Sequence, residues 1–221
     1  MENQTSFKKR GLEERLFAKL EEKFSLSSDQ VDKIQKYCAL LLDANLKINL
    51  TGHKTLADVL SSLFTDSLMA SKFIDFSKLS SICDVGTGAG FPGLAIKIAF
   101  PHLKVFLIEV TQKKIKFLES VIKDLDLKDV EIVSIDWRTF NRQTNFPIDL
   151  FLSKGAFREL EICRMFRQNC SYKDKALIYW AGQNWECDEL VAEHVKETFD
   201  YKNAARSCRL IKFGPTKDKS S

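Results

Sequence analysis

Four of the nine glycines of this chain, Gly86, Gly88, Gly90 and Gly93, fall within eight residues in the run DVGTGAGFPG. The run follows a short apolar stretch that reads as a strand (Ile82-Cys83-Asp84-Val85) and opens a helical pattern. Glycine lets the backbone turn sharply and lets a ligand approach without a Cβ in the way. Pro92 suits the first helical turn, so free amides at a helix N-terminus would face that ligand. Two ligand classes compete. Gly88, Gly90 and Gly93 spell G-x-G-x-x-G, which on its own suggests a nicotinamide dinucleotide. Asp84 stands two residues before the first glycine and makes the pattern acidic-x-G-x-G-x-G, that of S-adenosylmethionine (SAM) enzymes. A carboxylate there attracts an ammonium and a sulfonium and repels a pyrophosphate. A tight strand-to-helix turn with no ligand is the plain structural alternative.

Two further positions fit a nucleoside. Glu109 ends the next strand about 20 residues on, where an acid binds both ribose hydroxyls; otherwise it is a solvated acid at a strand end. Asp136-Trp137 ends the third strand. A carboxylate there can accept from an adenine amino group, the next backbone N–H can donate to the ring, and an aromatic can cover it. The alternative is a tryptophan packed on a neighbouring helix. None of His53, His102 and His194 has a recognisable partner, and no cysteine-nucleophile motif is present. The six cysteines contain no C-x-x-C pair, so a zinc site or a redox pair is not expected. They read as reduced thiols, several of them filling the core.

The elements that would position these residues divide near residue 80. Before it, helices are expected over 12–24, 29–46 and 55–73, with a cap in the break Ser25 to Ser28 and an extended turn at Ile48 to Gly52. After it, strands are expected at 82–85, 105–109, 130–135, 149–152 and 176–180. Helices are expected from the glycine loop to 100, then over 113–125, 157–169 and 186–198, and a C-terminal hairpin ends near Phe213. Strands alternating with helices imply an α/β fold: a mostly parallel sheet with helices on both faces. The expected organisation is a helical extension over 1–79, an α/β domain over 80–214 and a polar tail over 215–221. The 221 residues carry 44% hydrophobic and 29% charged side chains, an ordinary globular composition with no membrane-spanning apolar run. Charged residues where a secretory h-region would lie argue against a signal peptide. The net charge of +4 is weak support for a nucleic-acid partner.

The runs YCALLLDANLKINLTG, FTDSL, ICDVGTGAGFPGLAIKIA and LIEVTQKKIKFLE together resemble the small-subunit (16S) rRNA methyltransferase G family, also called glucose-inhibited division protein B, over about residues 26–160. The resemblance implies a Rossmann-like SAM-dependent fold with a seven-stranded sheet, and methylation of N7 of a guanine in 16S rRNA. It implies that Gly86 and Phe91 line the SAM pocket, that Glu109 takes the ribose, and that the adenine contact falls at Trp137 and Arg138. With Asp84, Gly88, Asp136 and Lys154 these are the candidate cofactor residues. The chain departs from the family at Ser62 and Leu63, where Arg-His is usual, and over Ile135-Asp136-Trp137-Arg138. It departs again at Ser153-Lys154-Gly155-Ala156, where Ser-Arg-Ala is usual, and at Ala181-Gly182. Lys154 keeps the positive charge without the planar fork of arginine, and it is the one candidate catalytic group.

Guanine N7 carries a free lone pair and no proton, so no general base is required, and catalysis would rest on alignment in a water-excluding site. Lys113, Lys114 and Lys116 are the expected RNA-facing residues; an ordinary basic helix start is the alternative. The basic residues of the first helix, Lys8, Lys9, Arg10, Arg15, Lys19 and Lys23, alternate with acids and read as a solvated face. The expectation is a monomeric, cytoplasmic enzyme acting on 16S rRNA of the small ribosomal subunit, with no membrane partner. A diverged SAM-binding protein with another methyl acceptor, or with none, and an NAD-dependent oxidoreductase are the alternatives.

Overall fold

A computed structural model describes residues 2–182, 185–204 and 206–216; for 2–10 it describes the backbone alone. The side chains of Lys8, Lys9 and Arg10 and the tail residues 217–221 lie outside the described residues.

Two helices open the chain, α1 (Glu2–Phe24) and α2 (Ser28–Ile48). Ser27 caps α2 in a reciprocal pair: its side chain accepts from the Gln30 amide and the Gln30 side chain accepts from the Ser27 amide. Asn49 ends the helix in left-handed backbone (φ 50°). The third helical stretch runs over 56–72 as expected but changes pitch. It starts as α3 (Leu56–Asp58), widens to a π-helix (Val59–Thr65), returns as α4 (Asp66–Leu68) and tightens to a 3-10 turn (Met69–Lys72).

Seven strands follow: β1 (Ser81–Val85), β2 (Lys104–Ile108), β3 (Val130–Val133), β4 (Leu150–Lys154), β5 (Ala176–Ala181), β6 (Val195–Asn203) and β7 (Arg206–Phe213). They form one sheet in the order β3-β2-β1-β4-β5-β7-β6. β1 to β5 are parallel; β7 runs antiparallel to both neighbours, so β6 points with the rest. β1 and β2 are buried on both faces and mostly apolar, the exceptions being Ser81, the buried Asp84 and Lys104 at the exposed start of β2. Ile82, Val105 and Leu107 pack against the N-terminal helices, α5 (Gly93–Ala99) and α6 (Gln112–Asp124). Cys83, Val85, Phe106 and Ile108 pack on the opposite side against α7 (Trp137–Gln143) and α8 (Glu159–Ile162). The N-terminal helices share a single apolar core with the sheet, running from Phe17 to Leu210. Cys38, Cys83, Cys163 and Cys170 are buried in these two layers.

Three helix expectations need correction. Residues 186–198 do not form a helix; apart from a 3-10 turn at Ala192–His194 they lead into β6. The reason lies in Phe199, Tyr201 and Asn203, whose alternating burial is a strand period. Residues 157–169 hold only α8 and a 3-10 turn (Cys163–Phe166). Helix α7, absent from the expected elements, is started by Asp136, which accepts from the amides of Arg138 and Thr139 (both 3.0 Å). No described helix is long and apolar enough to cross a membrane.

Candidate functional site

A cavity of about 940 Å³ opens at the C-terminal ends of β1, β2, β3 and β4, the edge where parallel sheets hold ligands. Its floor is the glycine loop. Thr87 donates to the Ile108 carbonyl, and the Gly90 and Phe91 amides turn back onto the Thr87 carbonyl. The loop is fixed from above by α2. The Tyr37 hydroxyl donates to the Ala89 carbonyl, and its ring stacks on Phe91 at 5.2 Å.

The glycines divide by what surrounds them. A Cβ on Gly86 would lie 2.4 Å from the Ala156 Cβ, one on Gly90 2.2 Å from the Tyr37 hydroxyl, and one on Gly93 2.7 Å from Leu107. These three serve close packing. Gly88 (φ +61°) lines the cavity and has nothing within 4 Å of where its Cβ would stand. That open cradle is where a ligand can lie against the backbone.

Asp84 is wholly buried and sits beneath the loop rather than in the cavity wall. One oxygen accepts from the Thr87 hydroxyl (2.6 Å) and the Gly93 amide (2.7 Å); the other is buried without a partner among the described residues. The amide at the start of α5 is therefore already taken, and Pro92 stands at the N-cap with a cis peptide before it. A pyrophosphate needs such amides free, so the dinucleotide reading loses its anchor. Burial pushes the Asp84 carboxyl up to about 7, against the pull of its hydrogen bonds and of Lys154. Below its ordinary 3.8 the folded and unfolded chains both hold the proton; between 3.8 and about 7 only the folded chain holds it. Stability from this group is therefore complete below the unfolded value and is lost as the pH rises through the folded one. Asp84→Asn should flatten that fall in a series of urea midpoints from pH 4 to 7; an unchanged profile would remove Asp84 as its source.

Glu109 lies on the wall at the end of β2. One oxygen accepts from the amides of Val110 (3.0 Å) and Thr111 (2.8 Å); the other accepts from Gly88 (3.1 Å), with the Lys114 ammonium at 3.7 Å. A carboxylate offers about four accepting positions, so one remains toward the cavity. Asp136 is exposed on the opposite wall. Bonds from Thr139 hold its carboxyl below the usual range, and one accepting position is left on the oxygen bonded to the Thr139 hydroxyl. Among Lys113, Lys114 and Lys116, only Lys114 lines the cavity.

Trp137 is placed in the core rather than over the cavity. Its ring is 2% exposed, stacks on Phe140 at 5.9 Å and donates to the Glu161 carbonyl at 3.3 Å. Its amide opens α7 and has no helical carbonyl to bond, so any contact it makes with a ligand comes from the backbone. Trp137→Phe should accordingly leave ligand affinity within about twofold while costing about 1 kcal/mol of stability, measured by calorimetry and urea unfolding. A tenfold affinity loss would return the ring to the binding surface. Arg138 lies at the rim, paired with Glu161 through Nε at 2.7 Å.

Lys154 lines the cavity at the end of β4. Its ammonium reaches the Asp66 carboxylate at 2.6 Å and the Ser62 carbonyl at 2.7 Å. The other Asp66 oxygen accepts from the Tyr201 hydroxyl at 2.6 Å. The Trp180 indole donates to the Asp66 carbonyl, and Asn203 donates to the Ser61 carbonyl. The π-helix is thereby tied to β4, β5 and β6. Sequence reasoning missed this network, and it missed Thr51 and His53 on the cavity wall. Asn45 holds both: its side chain bonds the Thr51 amide and carbonyl and the His53 carbonyl. Burial and the nearby Lys154 lower the His53 pKa, so its ring is neutral at pH 7. Among the described residues no cluster of three metal-ligating side chains occurs.

A mixed seven-stranded sheet with this cavity at its parallel edge is the fold of SAM-dependent methyltransferases. One solved example, TrmK of M. capricolum with S-adenosylhomocysteine, matches at a TM-score of 0.53 and 16% identity, covering 71% of each chain. The model for rRNA small subunit methyltransferase G matches residues 30–210, and the chain belongs to that family. Curated relatives named ribosomal RNA small subunit methyltransferase G include those of Bacillus pumilus (strain SAFR-032), 41% identical over 131 residues, 59% of this chain and 55% of the relative. Another is that of Geobacillus sp. (strain WCH70), 44% identical over 128 residues, 58% of this chain and 54% of the relative. The chain thus spans about half the length of the curated relatives it matches.

Proposed function

We propose that this chain is a SAM-dependent methyltransferase that modifies N7 of a guanine in the 16S rRNA of the small ribosomal subunit, working as a cytoplasmic monomer. The observation that carries the reading is the open cradle at Gly88 between two acids with spare accepting positions, Glu109 and Asp136. That donor and acceptor set suits a nucleoside with a diol at one end and an exocyclic amine at the other. Glu109 would accept from the ribose, and Asp136 with the backbone of Trp137 and Arg138 would hold the adenine edge. Gly86 and Phe91 would bound the pocket, and Asp84 would act by holding the loop. When bound, SAM supplies an electrophilic methyl on a sulfonium. The remaining task of the protein is alignment, because guanine N7 has no proton to surrender. Thr51, His53 and Leu63, from the extension over 1–79, would close the wall above the base and exclude water. Lys154 would face the incoming base with its orientation set by Asp66. Lys113, Lys114 and Lys116 would contact RNA phosphates beside the cavity.

The test is transfer of labelled methyl from SAM to small subunits that lack this modification, followed by nucleoside digestion. The expected product is 7-methylguanosine from 16S rRNA. SAM binding without transfer would favour the diverged reading, for which Ser62, Leu63 and Lys154 at family Arg-His and Arg positions are the motive. Calorimetry with NAD beside SAM should show heat for SAM alone.

A further inference from the structure

Behind the large cavity lies a hollow of about 140 Å³ that shares its Trp137–Arg138 wall. Arg138 and Arg142 reach it from α7; Arg164 and Arg167 reach it from the turn after α8. The carboxylate paired with this group is Glu161, which holds Arg138 at 2.7 Å and Arg164 at 3.0 Å. Arg142 donates Nε to the Arg138 carbonyl at 3.2 Å, which orients it and leaves its charge uncompensated. Among the described residues no carboxylate is within ion-pair distance of Arg142 or Arg167. Four guanidinium groups against one carboxylate would repel one another around an empty hollow. Asn141, 8% exposed, lines the same space; its side-chain oxygen accepts from the Cys170 thiol, and its amide nitrogen donates to no described residue. The hollow therefore offers an excess of positive charge and a side-chain amide of Asn141 on its wall.

We propose that this cluster binds a phosphodiester of the RNA backbone; that the strand is the substrate rests on the function proposed above. Guanidinium forks match phosphate oxygens in pairs, and a side-chain amide adds a third donor. The volume is well under the ~300 Å³ at which pockets hold whole small molecules, so it suits a phosphate group rather than a nucleoside. The shared wall lets one strand seat its phosphate on the arginines while its base turns into the larger cavity.

The experiment uses the whole chain and Arg142→Gln/Arg167→Gln, two exposed positions outside the cofactor cavity. Binding to naked 16S rRNA is titrated from 50 to 300 mM KCl, with SAM calorimetry alongside. Losing that one phosphate contact should lower the slope of log K against log salt by about 0.7, or roughly fivefold in affinity at 0.1 M if the two lines meet at 1 M. SAM affinity should be unchanged. An unchanged slope, or a wild-type chain that binds no rRNA, would overturn the site. A deficit seen with assembled subunits and absent with naked rRNA would overturn it too, in favour of an acidic protein face. A changed slope in a chain that transfers no methyl would sink the methyltransferase reading and leave the phosphate site standing. Full transfer with an unchanged slope would sink the site alone.

Discussion

Gly88→Asn is expected to leave the chain folded and to weaken SAM binding by at least about 100-fold, or about 2.7 kcal/mol. Asparagine tolerates left-handed backbone better than other residues with a Cβ, so the cost to stability is about 1 kcal/mol. Its side chain would project into the space that Gly88 leaves open, the space the proposal gives to the ligand. Gly86→Ala makes the contrast. Its Cβ would land 2.4 Å from that of Ala156 in backbone at φ +70°, so the loop after β4 must move. Overpacking and backbone strain together should cost about 2–4 kcal/mol, and binding falls with the fold. Calorimetry with SAM and urea unfolding on both variants check this. Gly88→Asn binding SAM with wild-type affinity would move the ligand elsewhere.

The second large effect is expected at Lys154. Lys154→Met leaves the Asp66 carboxylate, 14% exposed, beside an apolar side chain. Breaking a buried pair from one side costs about 3–5 kcal/mol; some solvent reaches both groups here, so about 2–3 kcal/mol is expected, with loss of methyl transfer. Adding Asp66→Asn removes the stranded charge and keeps an acceptor for the Tyr201 hydroxyl, so Lys154→Met/Asp66→Asn should be more stable than Lys154→Met alone. A double-mutant cycle in urea measures the coupling; independent effects would show that the ion pair does not hold the π-helix to the sheet. Lys154→Arg keeps the charge and should keep transfer within about tenfold, because the methyl-transfer step needs position rather than a proton acceptor.

What could be read in the sequence follows from where each cause lies. β1 and β2 were legible because strands buried on both faces are short, mostly apolar runs. The cap of α2 was legible as the break Ser25 to Ser28, whereas the reciprocal bond with Gln30 was not read. The glycine loop was legible as a cluster, but its reasons were not. Gly86, Gly90 and Gly93 answer to Ala156, Tyr37 and Leu107, partners that only the fold brings near. Trp137 could not be placed from one aromatic at a strand end; its ring turns inward because Phe140 and Phe151 await it there. The expected helix over 186–198 failed because its apolar residues suit a helical period only until Phe199 and Tyr201 impose a period of two. Lys154 was singled out for its charge, while its partner Asp66 lies 88 positions earlier and was seen only as part of FTDSL.

The bond between the Tyr201 hydroxyl and Asp66 spans 135 positions. During synthesis the helices emerge first, and Asp66 is translated long before either residue that will hold it. Asp66 and Ser61 gain these partners only once Tyr201 and Asn203 have been made. A chain stopped before β6 would therefore carry every glycine of the loop and still lack the strand that ties Asp66 in place through Tyr201.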